Sequence, residues 1–296
     1  MTTIDTPRTE RPSHPRVQRT APERPAAGLV QVGSARKRKL PLFTVPRALR
    51  RWYGPIFLVA IWSIAVGTGL MSEDILSTPW AVVAAGVELI RTGVLQENLL
   101  ASFRRVLGGL AIGIPLGISI AVLAGLTRKA EDLVDSSMQV FKAIPSYALV
   151  PLLMIWLGIG ETPKVTLIAI GVTVQMYINT YGAIRNVDSQ LVEAARTLDV
   201  GRWGLVRHVI IPGSVPGVLV GLRMSLANAW LGLIFAETIN APTGLGSMMS
   251  NAASVFRTDI VVLIVVIYAI IGLLSYAFVR FLTTHLLAWR QGYQGE

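Results

Sequence analysis

Residues 191–216, LVEAARTLDVGRWGLVRHVIIPGSVP, form a polar insert between two long apolar runs. The insert cannot cross a membrane because it carries six charged or titratable side chains: Glu193, Arg196, Asp199, Arg202, Arg207 and His208. Its apolar residues nevertheless follow the i, i+3, i+4, i+7 spacing of one helix face: Leu191, Ala194, Ala195 and Leu198. Gly201 stands where the end of this helix favours a positive φ. The pattern predicts a short amphipathic surface helix that offers a docking site to a partner.

The composition of the whole chain is that of a membrane protein. Hydrophobic residues make up 52%, charged residues 15%, and the mean hydropathy is +0.57. There is no cysteine, which rules out disulfides and thiolate metal sites. No G-x-x-x-x-G-K-[ST] motif is present, so the chain is not a P-loop ATPase. The three histidines lack metal-ligand spacing: His14, His208 and His285. We expect no catalytic residue, no metal site and no cofactor on this chain.

Several apolar runs have the ~20 residues needed to cross a ~30 Å hydrocarbon core. They predict an all-α, polytopic membrane bundle of about six transmembrane helices: residues 54–71, 104–126, 137–158, 165–184, 216–236 and 260–282. The third run is the least regular, because Lys142 and Pro145 interrupt it. Before the second run, Ser77-Thr78-Pro79 predicts a cap followed by proline at the first helical position. An interfacial helix over residues 79–92 should follow.

The basic N-terminal region suggests an orientation. Residues 1–51 are rich in Pro, Arg and Thr without apolar periodicity, which predicts a disordered tail. Twelve of the 27 Lys and Arg residues lie there, four of them in Arg36-Lys37-Arg38-Lys39. Such a cluster can bind nucleic acid. We favour a cytoplasmic flank that orients the first span and contacts anionic membrane lipid, with no nucleic-acid partner. Both termini are then cytoplasmic.

Charged residues near the span ends leave two interpretations open. Arg104 and Arg105 should snorkel to the outer interface or pair with Glu97. A charge inside a span is a functional candidate, but a solvated or snorkelling position is favoured for three carboxylates: Asp132, Asp135 and Glu237. Arg223 could attract an anion, although a snorkelling flank is favoured there as well. The substrate path is therefore not predicted.

Glycines recur at four-residue spacing in the second and fifth spans: Gly109, Gly113, Gly117, Gly217 and Gly221. Stacked small residues let membrane helices approach closely. Such a stripe can form a dimer or gate interface. We favour ordinary packing within one bundle, since glycine is frequent in membrane helices.

Four motifs together resemble the permease subunits of binding-protein-dependent ABC importers. Glu193-Ala194-Ala195, closing at Pro212, resembles their EAA loop, with Asp199 where the family usually has glycine and Gly201 two residues later. Residues 101–109, ASFRRVLGG, look like the start of the core membrane domain. Residues 144–160, with Ile144-Pro145 and WLGIG, are similar to the nitrate, sulfonate and taurine branch. Thr243-Gly244-Leu245-Gly246 resembles that branch's loop before the last span.

The resemblance implies a type I ABC importer transmembrane domain with a cytoplasmic coupling helix. It implies a core over residues 98–286, preceded by a first span and an outer interfacial helix in 52–97 and followed by a cytoplasmic tail in 287–296. Coupling roles would fall on Glu193, Ala194, Ala195, Leu198, Asp199, Gly201, Trp203 and Pro212. Glu193 is expected at the helix N-terminus, where a negative charge is favourable by about 0.3–1 kcal/mol. Trp203 should anchor at the interface, and Pro212 and Pro216 should break the helix.

The resemblance also implies partners and a mechanism. A pair of ATPase subunits would hold ATP and Mg, a binding protein would deliver the solute from outside, and a second permease copy would complete the path in a bacterial cell membrane. The implied solute is a small anion, an aliphatic sulfonate first and taurine or nitrate next. Two other classes remain open: a self-sufficient carrier or channel, which predicts buried ionisable residues in matched halves, and a membrane scaffold, which predicts a dry, fully packed bundle.

Overall fold

The computed structural model describes residues 53–72, 75–145 and 148–288. In these ranges the chain forms eleven α-helices: α1 Tyr53–Gly67, α2 Pro79–Arg91, α3 Val94–Leu126, α4 Arg128–Ala143, α5 Leu149–Leu157, α6 Glu161–Arg185, α7 Ser189–Thr197, α8 Arg202–Leu205, α9 Ile211–Asn240, α10 Leu245–Ser254 and α11 Thr258–Leu286. A π-helical turn, Val206–Ile210, joins α8 to α9. The predictions for the tail 1–51 and for residues 289–296 lie outside the described residues.

Four of the described helical segments are long and apolar enough to cross a membrane: Val94–Leu126, Glu161–Arg185, Arg202–Ile239 and Thr258–Leu286. The expected all-α membrane fold is confirmed, but a count of six spans is not. Helix α1 is apolar but has only 15 residues, below the ~17–25 of a spanning helix. The expected span 137–158 is divided between α4 and α5. Ile144 has the extended ψ of 121° that is usual before proline, so α4 ends before Pro145.

The helix before the second span begins as its sequence predicts. Thr78 caps α2, its side-chain oxygen accepting a hydrogen bond from the Ala81 N–H at 3.2 Å, and Pro79 occupies the first turn. Proline suits this position because its missing N–H would have no helical partner there. Helix α2 ends at Arg91, one residue before the predicted end.

Helix α6 lies at the centre of the bundle, with α3 and α9 packed against it. The glycines of α3 face α6: a Cβ added at Gly113 would lie 2.7 Å from the Ala169 carbonyl oxygen, and one at Gly117 would lie 2.6 Å from the Thr173 oxygen. On α9, Gly217 and Gly221 approach Ala183 and Asn179 of α6 in the same way. These close approaches, with that of Gly109 to Ile168, are made within one chain.

The two prolines expected to break the helix before the fifth span do not do so. The helical path continues from Arg202 to Asn240, with Pro212 in the first turn of α9 and Pro216 inside it. A proline ring clashes with the carbonyl one turn earlier in a regular α-helix. Here the wider π-helical turn Val206–Ile210 directly precedes Pro212, which accommodates the missing N–H without ending the helix.

Candidate functional site

The predicted docking helix is present as α7, but it begins earlier than Glu193. Asp188 caps it, accepting a hydrogen bond from the Gln190 N–H at 2.9 Å. Glu193 therefore lies in the second turn, and the expectation that it sits at the helix N-terminus is wrong. The favourable N-terminal negative charge belongs to Asp188 instead. The capping preference of aspartate was the signal that could have placed this end.

The end of α7 also differs from expectation. Asp199 has a φ of 58°, whereas Gly201 has a φ of −58° and precedes α8, so the positive φ expected at Gly201 lies at Asp199. The Asp199 N–H donates to the Arg196 carbonyl at 3.0 Å and the Val200 N–H donates to the Ala195 carbonyl at 3.1 Å. This is the double hydrogen bond of a Schellman ending. Aspartate tolerates the left-handed conformation better than most side chains, so Asp199 can adopt the positive φ that this turn requires.

The apolar face of this segment is largely uncovered by the chain itself. Leu198 is 78% exposed and Trp203 is 74% exposed, while Leu191 is also exposed. Ala195 alone of the predicted stripe is buried. Exposed large apolar side chains grouped at one place are typical of an interaction surface. We call the segment Ser189–Trp203, with α7 and the start of α8, the docking segment.

The docking segment is continuous with a membrane helix. The path Arg202–Ile239 has 38 residues, which is roughly 55 Å at 1.5 Å per residue. Because α6 ends just before α7 and α9 begins just after the π-helical turn, both helices connect this segment to the opposite end of the bundle. The two helices are packed against each other along the bundle.

That opposite end contains a buried ionic cluster. Arg105 of α3 is 3% exposed and donates to Glu161 at 2.5 and 2.8 Å, to Glu237 at 2.6 Å and to the Thr243 carbonyl at 2.6 Å. Lys164 is also buried and lies 3.4 Å from Glu161. The expectation that Arg105 snorkels or pairs with Glu97 is therefore wrong. Its guanidinium offers five donors in a fixed fork, and two carboxylates and a carbonyl use them.

Glu237 is the second half of this cluster. It is 1% exposed and accepts hydrogen bonds from the Ser102 hydroxyl at 2.8 Å and the Gly246 N–H at 2.8 Å, besides Arg105. The favoured interpretation of a solvated charge is wrong for Glu237. A buried carboxylate is stable only when it is paired and its oxygens are hydrogen-bonded. Residues of α3 and the first turn of α10 supply these partners.

The α9–α10 loop is shaped around the cluster. Gly244 has a φ of 134°, and its N–H donates to the Asn98 side chain at 2.7 Å. A Cβ there would lie 2.6 Å from the Arg105 guanidinium. The Leu245 N–H donates to the Ser102 hydroxyl at 2.9 Å. The sequence motif at 243–246 could have indicated this loop, but nothing in it names Arg105 as the partner, because 138 residues separate Arg105 from Thr243.

Asp132 and Asp135 of α4 are expected to be solvated or snorkelling, and only one of them is exposed. Asp132 is exposed. Asp135 accepts a hydrogen bond from the Tyr177 hydroxyl at 3.1 Å, and Glu131 accepts one from the Tyr181 hydroxyl at 2.6 Å. These bonds attach α4 to α6 near the docking segment. No group of three or more potential metal-ligating side chains is found in the described ranges.

The sequence profile of the family "Binding-protein-dependent transport system inner membrane component" matches residues 113–287, which include the docking segment, α9 and α11. The chain belongs to this family. Members are permease subunits of ABC importers and not enzymes, and ATP hydrolysis lies on a separate subunit. The chain is accordingly a multi-pass inner membrane protein.

Curated relatives of this permease match most of its length. The putative aliphatic sulfonates transport permease protein SsuC of Escherichia coli (strain K12) is 40% identical over 82% of this chain and 92% of its own. The protein of the same name from Bacillus subtilis (strain 168) is 38% identical over 81% and 87%. The taurine transport system permease protein TauC of E. coli is 30% identical over 78% and 86%. The expected resemblance to the sulfonate and taurine branch is confirmed.

A solved structure shares the fold of this permease. A chain of the "amino acid ABC transporter with histidines" matches with a TM-score of 0.58 and 18% identity, covering 67% of this chain and 97% of that one. At this identity the match concerns the arrangement of helices alone. It agrees with the bundle of α3, α6, α9 and α11 described above.

Proposed function

We propose that this permease imports aliphatic sulfonates, with taurine and nitrate as the next candidates, by alternating access driven through the docking segment. The observation that carries the coupling role is the exposed apolar residue Leu198 at the end of α7. A short turn joins it to the helical path that starts at Arg202 and continues as the membrane helix α9. The solute class is supported by the sulfonate and taurine names of the relatives.

The docking segment inserts into a groove of a cytoplasmic ATPase subunit. Ala194 and Ala195 let the partner approach the backbone, Leu198 is the apolar contact, and Glu193 meets a basic group. Asp199 and Gly201 set the turn, Trp203 rests at the membrane interface, and Pro212 lies in the first turn of α9, within the helical path that enters the membrane. Two such permeases pair, each with one ATPase subunit, and both termini lie in the cytoplasm.

The transport cycle follows from this arrangement. ATP and Mg close the ATPase pair, which draws the two docking segments together. Helices α6 and α9 carry this movement to the cluster of Arg105, Glu161 and Glu237 at the outer end, where a binding protein delivers the solute. The core that moves spans residues 98–286, and annular lipid surrounds it.

The coupling role is tested by the double substitution Glu193→Lys and Leu198→Asp in the tagged, full-length chain. It should abolish sulfonate uptake and co-purification of the ATPase, because it reverses one charge and replaces the exposed apolar contact. Membrane insertion should be unchanged. Phe256→Asp is a matched control, since Phe256 is also exposed but lies in the turn before α11, at the other end of the bundle. Uptake and co-purification that survive the double substitution contradict the proposal.

The solute is tested by growth of a deletion strain. We expect loss of growth with an aliphatic sulfonate as the sulfur source and normal growth with sulfate. Growth on nitrate or taurine is scored in parallel. Unimpaired growth on all sulfonates, with a defect on another solute, would refute the sulfonate assignment while leaving the coupling role intact.

A further inference from the structure

The middle of α9 carries an arginine that the ionic cluster does not use. Arg223 lies 12 residues after Ile211 and 14 before Glu237, about 18 Å and 21 Å along the helix. Its side chain is exposed on the face of α9 that is turned toward α11, and the snorkelling interpretation stays a prediction. Its guanidinium lies over the Tyr276 ring of α11, 4.8 Å from the centroid. Among the described residues no carboxylate forms an ion pair with Arg223.

A cavity of about 360 Å³ opens beside this guanidinium between α9 and α11. Its lining follows helical spacing on both sides, so one face of each helix forms it: Arg223, Ala227, Trp230, Leu231 and Ile234 on α9, and Tyr268, Gly272, Ser275 and Tyr276 on α11. A Cβ added at Gly272 would meet nothing within 4 Å, so the cavity is open at that point.

Two buried polar atoms in the lining have no hydrogen-bond partner in the part of the chain that is described. They are the Trp230 indole nitrogen and the Tyr268 hydroxyl oxygen, and Trp230 is only 7% exposed. Such groups are almost always hydrogen-bonded when buried, and each exception requires an explanation. Both groups are donors, as is the guanidinium of Arg223. The lining is thus rich in donors and lacks a carboxylate.

We propose that this cavity is the membrane-embedded binding site for the sulfonate head group of the transported solute. An unpaired charge inside a membrane helix marks a substrate path by default. Arg223 binds two sulfonate oxygens through its planar fork, which Tyr276 holds by a cation–π contact. The Trp230 indole N–H and the Tyr268 hydroxyl, which are buried behind the cavity surface, rotate toward the remaining oxygen when the solute binds. The alkyl chain lies against Ala227, Leu231 and Ile234.

This inference rests on the proposed function, because the ligand is the proposed solute. It adds that the permease itself, and not only the binding protein, selects for an oxyanion. A phosphate oxyanion could occupy the same donors, either free or as a lipid head group. The experiment therefore separates three sources: an alkanesulfonate, inorganic phosphate and an anionic phospholipid.

The test measures binding of butanesulfonate to the purified full-length permease in nanodiscs of phosphatidylcholine. Arg223→Gln should weaken binding about 10- to 100-fold, the usual effect of losing hydrogen bonds to a charged group. Arg280→Gln is the matched control, because Arg280 is exposed on α11 one turn beyond Tyr276 but does not line the cavity. It should change binding less than about twofold, as surface substitutions usually do.

Competition identifies the occupant. Butanol should not displace butanesulfonate, and inorganic phosphate should compete far less well than an alkanesulfonate because it has no alkyl chain to contact the apolar lining. Replacing part of the lipid by phosphatidylglycerol should not weaken butanesulfonate binding. If phosphate displaces butanesulfonate as readily as an alkanesulfonate does, the site is a phosphate site and the proposal is overturned. If phosphatidylglycerol abolishes the binding of butanesulfonate, the site is a lipid site and the proposal is overturned as well. Equal binding by the wild type and Arg223→Gln overturns it as well.

A second variant keeps the proposal falsifiable if Arg223→Gln does not fold. Gly272→Leu fills the open part of the cavity and keeps the charge. It should reduce uptake of hexanesulfonate by the reconstituted transporter more than uptake of methanesulfonate, and unchanged uptake of both refutes the site. If the wild-type transporter imports no sulfonate at all, the proposed function fails. If it imports sulfonates while both variants behave as the wild type, this inference alone fails.

Discussion

Asp199 shows how one residue can satisfy a backbone requirement that glycine usually meets. Its φ of 58° is needed because α7 must turn sharply before α8, and the two Schellman hydrogen bonds fix that turn. The side chain is exposed and forms no part of the core. The geometry of the docking segment therefore depends on the conformational tolerance of this position.

Substitutions at Asp199 should follow that tolerance. Asp199→Gly should keep uptake and ATPase co-purification near wild type, because glycine adopts this φ freely. Asp199→Val should reduce both, since a β-branched residue at positive φ is a strong outlier, with a cost of order 1–3 kcal/mol. Sulfonate uptake and pull-down of the ATPase measure the two effects. Equal behaviour of the two variants would contradict the account.

Arg105 and Glu237 form a buried ion pair whose two charges depend on each other. Arg105→Met leaves Glu237 charged and buried, which should cost about 3–5 kcal/mol. Adding Glu237→Met should recover much of the loss, because Glu161, the other partner, is partly exposed and can be solvated. Thermal unfolding in detergent measures both variants. Arg257→Met, which breaks an exposed pair with Asp259, should change stability by about 0–1 kcal/mol.

The result that would contradict this pairing is a double variant less stable than Arg105→Met alone. The stability of the cluster would then depend on the hydrogen bond between the Gly246 N–H, in the first turn of α10, and Glu237, and not on the charge pair. Glu237 lies within hydrogen-bonding distance of both Arg105 and the Gly246 N–H, and the double variant separates the contribution of the ion pair from that of the backbone hydrogen bond.

At the scale of elements, the bundle depends on how closely α3 approaches α6. Gly113 and Gly117 place backbone against backbone, so any Cβ meets atoms that cannot rotate away. This close contact makes α6 the fixed centre around which the other spanning helices are arranged.

Matched glycine substitutions test this packing. Gly113→Ala should destabilise the protein by about 1–3 kcal/mol, the usual cost of overpacking. Gly182→Ala lies on α6 where a Cβ meets nothing within 4 Å, so it should be neutral or slightly stabilising through helix propensity. Thermal unfolding in detergent compares the two. A Gly113→Ala variant as stable as Gly182→Ala would show that the helices are not closely packed at this point.

The elements also show what the sequence could and could not predict. Hydropathy located the long apolar helices, and Thr78-Pro79 located the start of α2, because these signals are local. The sequence predicts an irregular span at Pro145, whereas the structure divides it into two helices, α4 and α5. The sequence predicts a helix break at Pro212, whereas the helix continues through it. Whether proline ends a helix depends on the turn before it, here a π-helical one, and no composition rule describes that turn.

The candidate site likewise contains one part that local sequence signals predict and one part that they do not. The exposed docking segment could be predicted, since amphipathic spacing and short-range turn chemistry determine it. The cluster around Arg105 could not, because its members come from α3, α6, α9 and the α9–α10 loop and become neighbours only through tertiary packing. Each of its charges, taken alone, looked like a residue at a span end.

At the scale of the whole molecule, the two ends of the bundle differ in chemistry. One end exposes apolar side chains on the docking segment, and the other buries charges around Glu237. Helices α6 and α9 run between them. This polarity fits a permease that is driven from one side of the membrane and supplied with solute from the other. We propose that the docking segment faces the cytoplasmic ATPase.

Site-directed labelling tests that claim most directly, because the natural chain has no cysteine and single-cysteine variants need no background removal. The variants Leu198→Cys and Phe256→Cys, both at exposed positions, are treated with a membrane-impermeant maleimide. The cells are prepared so that the reagent reaches the outer face of the inner membrane while the inner membrane itself stays closed. The account predicts labelling of Phe256→Cys alone in these cells, and labelling of Leu198→Cys only after the inner membrane is opened, together with its cross-linking to the ATPase. Labelling of Leu198→Cys from outside would contradict the account.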